Sequence, residues 1–159
     1  MSAAVADRSA TQSNELEIAS FYLDDALLGI PIEQVDEINH HLALTPVPHA
    51  PPYVRGVMNL RGDVVTVIDL RVVLGLEATV VGRKTSNVVV RSQGEQIGIL
   101  ADRIGDVVRI RRDEIAPPPA NVVGSDGRLF VGVCKLDNAL LLILDVEAAL
   151  AADSVISQG

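Results

Sequence analysis

The chain of 159 residues contains an internal repeat, and this repeat limits its possible folds more than any other feature. Segments of the first half recur in the second, first at an offset of 69 residues and then at an offset of 76. The matching segments are 29–30 with 98–99, 35–38 with 104–107, and 56–70 with 132–146. Such self-similarity is typical of a chain that builds one structural unit twice. We place the two copies at about residues 16–76 and 86–152.

Each copy has the pattern of several short β-strands. Apolar and β-branched residues run together over about four to eight positions, and polar or glycine turns separate the runs. The clearest runs are residues 18–23, 26–32, 64–68, 87–91 and 96–100. Two copies of a five-strand pattern with short turns favour an all-β fold of two small barrels. We expect the domain to span residues 15–152, with a C-terminal amphipathic helix at 146–152 and tails at 1–14 and 153–159, the first of them disordered.

A hairpin at residues 57–68 lies at the centre of the first copy. Asp69 is placed to cap a short helical turn that Gly75 ends. The hairpin turn carries Arg61, and a guanidinium at such a turn is either solvated or bound to carboxylates of a partner. The second copy has Asp137 at the position of Arg61 and Lys135 at that of Asn59. Since neither position is needed for the shared fold, Arg61 and Asn59 are candidates for function.

The residues that both copies retain are expected to serve the fold instead. They comprise glycines at close approaches or turns and aspartates before helical turns. These structural candidates are Gly29, Asp69, Gly98, Gly132 and Asp145, and Gly62, which the second copy replaces by Asn138, is added to them as the glycine of the hairpin turn.

Composition narrows the function classes. The formal net charge of −8 argues against nucleic acid or an anionic membrane as a partner and favours proteins. The start lacks the apolar core of a signal peptide, and the apolar run at residues 139–144 is far shorter than a membrane span. The single cysteine, Cys134, lies in an apolar strand pattern, which predicts a buried, inert thiol in a cytosolic protein.

No motif indicates catalysis, a metal or a cofactor. His40, His41 and His49 lack the spacing of a zinc site, and solvated side chains explain them better. Residues 82–85 match a phosphate-binding loop only faintly. The carboxylates fall mostly at turns and helix starts, where capping accounts for them.

The segment Gly-Val-Met-Asn-Leu-Arg-Gly at 56–62, followed by Val-Ile-Asp-Leu-Arg at 67–71, resembles the CheW family of coupling proteins in bacterial chemotaxis-type signalling. The likeness covers roughly residues 16–152 and includes 35–38 upstream and 102–107 downstream. The resemblance implies two intertwined SH3-like, five-stranded β-barrels.

The resemblance also implies a non-enzymatic adaptor that joins the cytoplasmic tip of a chemoreceptor to the regulatory domain of a CheA-type histidine kinase. Such a protein is cytoplasmic and is recruited to membrane-associated receptor arrays of a flagellar, pilus or other chemosensory system. By position, Glu37 and Arg61 match the family's paired charges beside the receptor-binding surface, and Val35, Gly56 and Asn59 lie in the same neighbourhood.

Two other classes of function are compatible with the residues alone. One is a barrel that binds a small ligand, or an enzyme, which requires a pocket with converging polar groups. The other is a dimeric structural protein that uses an exposed barrel edge.

Overall fold

Ten β-strands make up most of the computed structural model, which describes residues 14–40, 42–118 and 129–150. In chain order they are β1 (Glu15–Leu23), β2 (Ala26–Pro31), β3 (Val35–Asn39), β4 (Val54–Leu60), β5 (Asp63–Ile68), β6 (Ser86–Ser92), β7 (Glu95–Ala101), β8 (Arg103–Arg111), β9 (Phe130–Lys135) and β10 (Leu140–Leu144). A short helix, α1 (Leu70–Val73), follows β5, and residues 146–150 are helical. The predicted tails, apart from Asn14, and positions 151–152 of the predicted terminal helix lie outside the described residues. No helix in these ranges is long and apolar enough to cross a membrane.

The strands form two five-stranded sheets, which confirms the predicted all-β fold. The first sheet has the order β8-β1-β2-β10-β9, and the second has the order β3-β6-β7-β5-β4. Neighbouring strands are antiparallel except β2 with β10 and β5 with β7. The sheets are therefore mixed, with one parallel pair at the equivalent place in each.

Each sheet takes strands from both sequence repeats. Strands β1 to β5 belong to the first copy and β6 to β10 to the second. When each strand of the first sheet is replaced by its repeat-related strand, the order of the second sheet results. The pairing registers follow the sequence offsets, because Val67 pairs with Gly98 and Ile143 pairs with Gly29. The first hairpin of each copy is thus exchanged into the other sheet. The two units are intertwined, and the repeat boundaries are not the sheet boundaries.

The core lies in three layers. One face of each sheet packs against the other sheet, and the side chains between them form the shared core layer. The opposite face of each sheet packs on a smaller apolar cluster of its own. In β6, Val88 and Val90 join the shared layer while Val89 faces the interior of the second sheet. Both faces of the central strands are therefore buried, which explains their continuous apolar runs.

Helix α1 is closed at both ends as the sequence predicts. The Asp69 carboxylate accepts a hydrogen bond from the Arg71 N–H at 3.1 Å. At the other end Gly75 has φ +80°, and the N–H of Leu76 donates to the Arg71 carbonyl at 2.7 Å. This is a Schellman-type ending, in which glycine adopts the left-handed conformation without steric cost.

Candidate partner-binding site

The β4–β5 hairpin turns through two residues, Arg61 and Gly62. Their φ angles are +54° and +90°, the combination of a type I′ turn, whose twist matches that of the flanking strands. The Gly62 N–H donates to Asn59 Oδ1 at 2.8 Å. Asn59, predicted to contact a partner, therefore also shapes the turn that presents Arg61.

Arg61 forms an ion pair with Glu37, so the structure brings together the two charges that the sequence singled out. The distance from Arg61 Nη1 to Glu37 Oε1 is 2.5 Å. Glu37 lies on β3 and Arg61 at the end of β4, and these strands are the two edges of the second sheet. The pair bridges the opening between the edges. Its arginine side chain is 75% exposed and its glutamate side chain 20% exposed.

The second oxygen of Glu37 is held as well. Glu37 Oε2 accepts a hydrogen bond from Asn39 Nδ2 at 2.8 Å, which helps to fix the orientation of the carboxylate. Val35 starts the same strand, is half-buried and packs on the shared core layer. A β-bulge separates Val35 from Glu37 in the pairing with β6, and bulges re-aim the side chains that follow them.

Asp36, inside this bulge, was not singled out from the sequence. It accepts a hydrogen bond from Gln96 at 2.8 Å and pairs with Arg91 at 2.9 Å. The hydrogen bond from Gln96, and then the charge and hydrogen bond of Arg91, hold the pKa of Asp36 below its usual value. These partners lie on β6 and β7, far away in sequence, so no local pattern could have revealed the contact.

Gly56 has a packing role. It is buried, and a Cβ atom at this position would lie 2.6 Å from the carbonyl oxygen of Thr45. Thr45 and Val57 exchange backbone hydrogen bonds of 2.8 and 2.9 Å across this approach. Gly132, the repeat-related residue, meets the Ala116 carbonyl in the same way, at 2.5 Å. Gly56 thus supports the edge strand beneath the hairpin and offers no side chain to a partner.

Val64 is an exposed apolar residue beside the ion pair. It is directly opposite Asn59 in the hairpin and is 74% exposed. The alternation along β5 places Val65 and Val67 inside and Val64 outside. An apolar residue at a solvent-facing strand position can indicate a contact surface. In the sequence, however, Val64 is part of a continuous β-branched run, which hides the alternation between inside and outside.

Three further structural candidates lie at close approaches between strands or at a helix cap. Side chains of neighbouring strands crowd Gly29 and Gly98, where Ile18 and Asn87 leave no room for a Cβ atom. Asp145 accepts a hydrogen bond from the Ala148 N–H at 3.1 Å.

Asp69 does more than cap α1. Its side chain is fully buried, and Oδ2 accepts hydrogen bonds from the Thr79 N–H at 2.7 Å and from Arg55 at 3.0 Å. Oδ1 accepts from the Thr79 hydroxyl at 2.9 Å as well as from Arg71. One carboxylate therefore ties together the helix, the loop after it and β4.

Cys134 is buried at 1% exposure within the first sheet's own cluster. Burial, and secondarily the charge of Glu114, raise the pKa of its thiol, so the neutral form prevails at pH 7. Among the described residues no three histidine, cysteine or carboxylate side chains are grouped as metal ligands. His41 lies outside the described residues.

Comparison with known proteins identifies relatives of the whole domain. A family model described as CheW-like domain matches residues 17–154. A chemotaxis protein CheW of Helicobacter pylori is 36% identical over 87% of this chain and 83% of its own, and one of Thermotoga maritima is 31% identical over 84% and 86%. The crystal structure of scaffolding protein TtCheW from Thermoanaerobacter tengcongensis superimposes with a TM-score of 0.76 at 27% identity, covering 82% of this chain and 84% of that one.

Proposed function

The chain belongs to the CheW-like domain family and is an adaptor of chemotaxis-type signalling, and we propose that it joins a chemoreceptor tip to the regulatory domain of a CheA-type histidine kinase. In this role it acts without catalysis and without a cofactor. It works in the cytoplasm, where membrane-associated receptor arrays recruit it.

The observation that carries this proposal is the ion pair between Glu37 and Arg61. Water reaches this pair from its arginine side, where the side chain is 75% exposed, so the pair contributes only about 1 kcal/mol or less to stability. The fold therefore gains little from it. A charge pair that is inexpensive to break and lies between two strand edges is well suited to exchange its partners.

Apolar residues lie on the two elements that carry the pair. Val64 lies on the hairpin and Val35 on the neighbouring edge strand. An amphipathic helix from a receptor could place its apolar face here while its charged groups meet Glu37 or Arg61. Charges at such a rim fix register and orientation, and apolar contact supplies most of the affinity.

The test is a double-mutant cycle with Arg61→Ala, Glu37→Ala and both together, measured by titration calorimetry against the receptor tip and the kinase regulatory domain. Loss of an interfacial charged hydrogen bond is worth about 2 kcal/mol, so each single change should weaken at least one association by about tenfold or more. The double variant should lose less than the sum of the singles, because the second change leaves no orphan charge.

Arg109→Ala is the matched control, since Arg109 pairs with Glu17 at 3.7 Å on the outside of the first sheet. It should bind like the wild type. If folded Arg61→Ala kept wild-type affinity for both partners, Arg61 would be a solvated turn residue, and the proposed site would be wrong.

A further inference from the structure

The edge strands β3 and β8 carry a β-bulge at the same repeat position. In β3 the pairing with β6 is interrupted between Val35 and Glu37, and in β8 the pairing with β1 is interrupted between Ile104 and Val107. A bulge leaves a residue out of the ladder, so the strand has fewer backbone bonds to its neighbour there. The two sheets hold their bulges by different side chains.

In the first sheet a hydroxyl group holds the bulge. Ser20 on β1 donates a hydrogen bond from Oγ to the backbone carbonyl of Asp106, which lies inside the bulge of β8. The preceding residue is Gly105, and a Cβ atom there would lie 2.5 Å from Ser20 Oγ. This bulge is therefore tied to β1 by Ser20 and leaves no room for a side chain at position 105.

The second sheet has no hydroxyl at this place, because Val89 stands where the first sheet has Ser20. Instead Asp36, at the position of Gly105, supplies a carboxylate. Its Oδ2 accepts a hydrogen bond from Gln96 at 2.8 Å and pairs with Arg91 at 2.9 Å. A side chain of the bulge itself thus ties β3 to β6 and β7.

The two residues that bind Asp36 are also specific to this sheet. Arg91 and Gln96 are directly opposite each other in the pairing of β6 with β7. Their counterparts, Tyr22 and Leu27, are opposite each other in the pairing of β1 with β2, and there they pack with the first sheet's own apolar cluster. The shared fold therefore does not require the network of Asp36, Arg91 and Gln96.

We propose that Asp36, Arg91 and Gln96 are positioning residues for the ion pair of Glu37 and Arg61. Asp36 directly precedes Glu37, so fixing the bulge fixes the point from which the Glu37 carboxylate reaches across the opening to Arg61. The effect on partner binding rests on the proposed function. The effect on the ion pair does not, because it is measured without a partner.

The first measurement follows the side-chain N–H signals of Arg61 by NMR in the full chain. Glu37→Ala removes the pair and gives the reference position of these signals. Asp36→Ala and Arg91→Ala should each move them toward this reference, because Glu37 is no longer held in place. The side chains of Asp36 and Arg91 are 26% and 52% exposed, so both variants should fold.

Two further variants separate positioning from a general disturbance. Arg111→Ala breaks a similarly exposed pair with Asp113, at 3.0 Å in the first sheet, and should leave the Arg61 signals unchanged. Asp36→Arg combined with Arg91→Asp exchanges the two charges. The amide of Gln96 can donate or accept, so this double variant should return the Arg61 signals to their wild-type position.

Binding is then measured by calorimetry against the receptor tip. Asp36→Ala should weaken binding by about threefold or more, yet add nothing to the loss caused by Glu37→Ala, since it acts through that residue. The proposal is overturned if the Arg61 signals stay in place in Asp36→Ala and Arg91→Ala, if the charge exchange does not restore them, or if the two binding losses add fully. Wild-type binding by Arg61→Ala would refute the proposed function alone, because the NMR result decides the positioning independently.

Discussion

Replacing Asp69 by asparagine should destabilise the protein far more than replacing its repeat-related counterpart, Asp145. The Asp69 carboxylate is fully buried and accepts four hydrogen bonds, two at each oxygen. An asparagine keeps one oxygen but turns an NH₂ group toward the other two donors, which are the Thr79 N–H and the Arg55 guanidinium. Both donors then lose their acceptor.

The expected loss of stability comes from these two donors. A buried N–H left without a partner costs about 1–3 kcal/mol. The hydrogen bond to Arg55 is charge-assisted, but its side chain is 29% exposed, so water replaces part of the loss and about 1 kcal/mol remains. We therefore expect Asp69→Asn to lower the free energy of unfolding by about 3 kcal/mol, a large share of the 5–15 kcal/mol typical of a domain.

Asp145→Asn is the matched control. Asp145 caps the helical segment at residues 146–150 through one hydrogen bond to Ala148, and asparagine caps helices about as well as aspartate. Its cost should stay below about 0.5 kcal/mol. Urea titrations followed by circular dichroism would measure both values. A difference of less than about 1 kcal/mol between the two variants would show that the Asp69 contacts do not act as a stabilising network.

Two further predictions concern packing. Ile68→Ala and Leu144→Ala each empty part of the shared core layer, where these side chains are 3% and 1% exposed, and should each cost about 2–5 kcal/mol in the same titrations. Val64→Ala, at a 74% exposed position, should cost less than about 0.5 kcal/mol, and equal costs for all three would contradict the strand phasing. Gly56→Ala should cost about 1–3 kcal/mol, because its Cβ would press on the Thr45 carbonyl, while calorimetry on the folded variant should show wild-type affinity for partners. Unchanged stability with weakened binding would instead make Gly56 part of the contact surface.

Much of the fold could be predicted because it is encoded locally. The apolar runs gave the strands, and the aspartate and glycine flanking α1 gave its ends. The repeat offsets even match the parallel pairings of Val67 with Gly98 and Ile143 with Gly29. The exchange of hairpins could not be found in this way, because the apolar pattern of β1 and β2 is satisfied equally by either sheet.

The same limit applies to the candidate site. The repeat singled out Arg61 because the second copy has Asp137 there, and the family resemblance supplied Glu37. The repeat could not single out Asp36, because its partners Arg91 and Gln96 come from strands of the other copy. Nor could it identify Thr79, a loop residue whose backbone and hydroxyl both bind Asp69. Contacts that depend on strand exchange are long-range in sequence, and no periodicity records them.

The repeat also works as an internal control for finding function. Both copies build the same strand order, so the fold explains residues that are kept in both. The pair of Glu37 and Arg61 is not kept, because the residues at the corresponding positions are Asp106 and Asp137. Two carboxylates cannot form an ion pair with each other, so the second copy builds its strands without such a pair. The shared fold therefore does not require these two charges, which is why we expect Arg61→Ala to change partner binding more than stability.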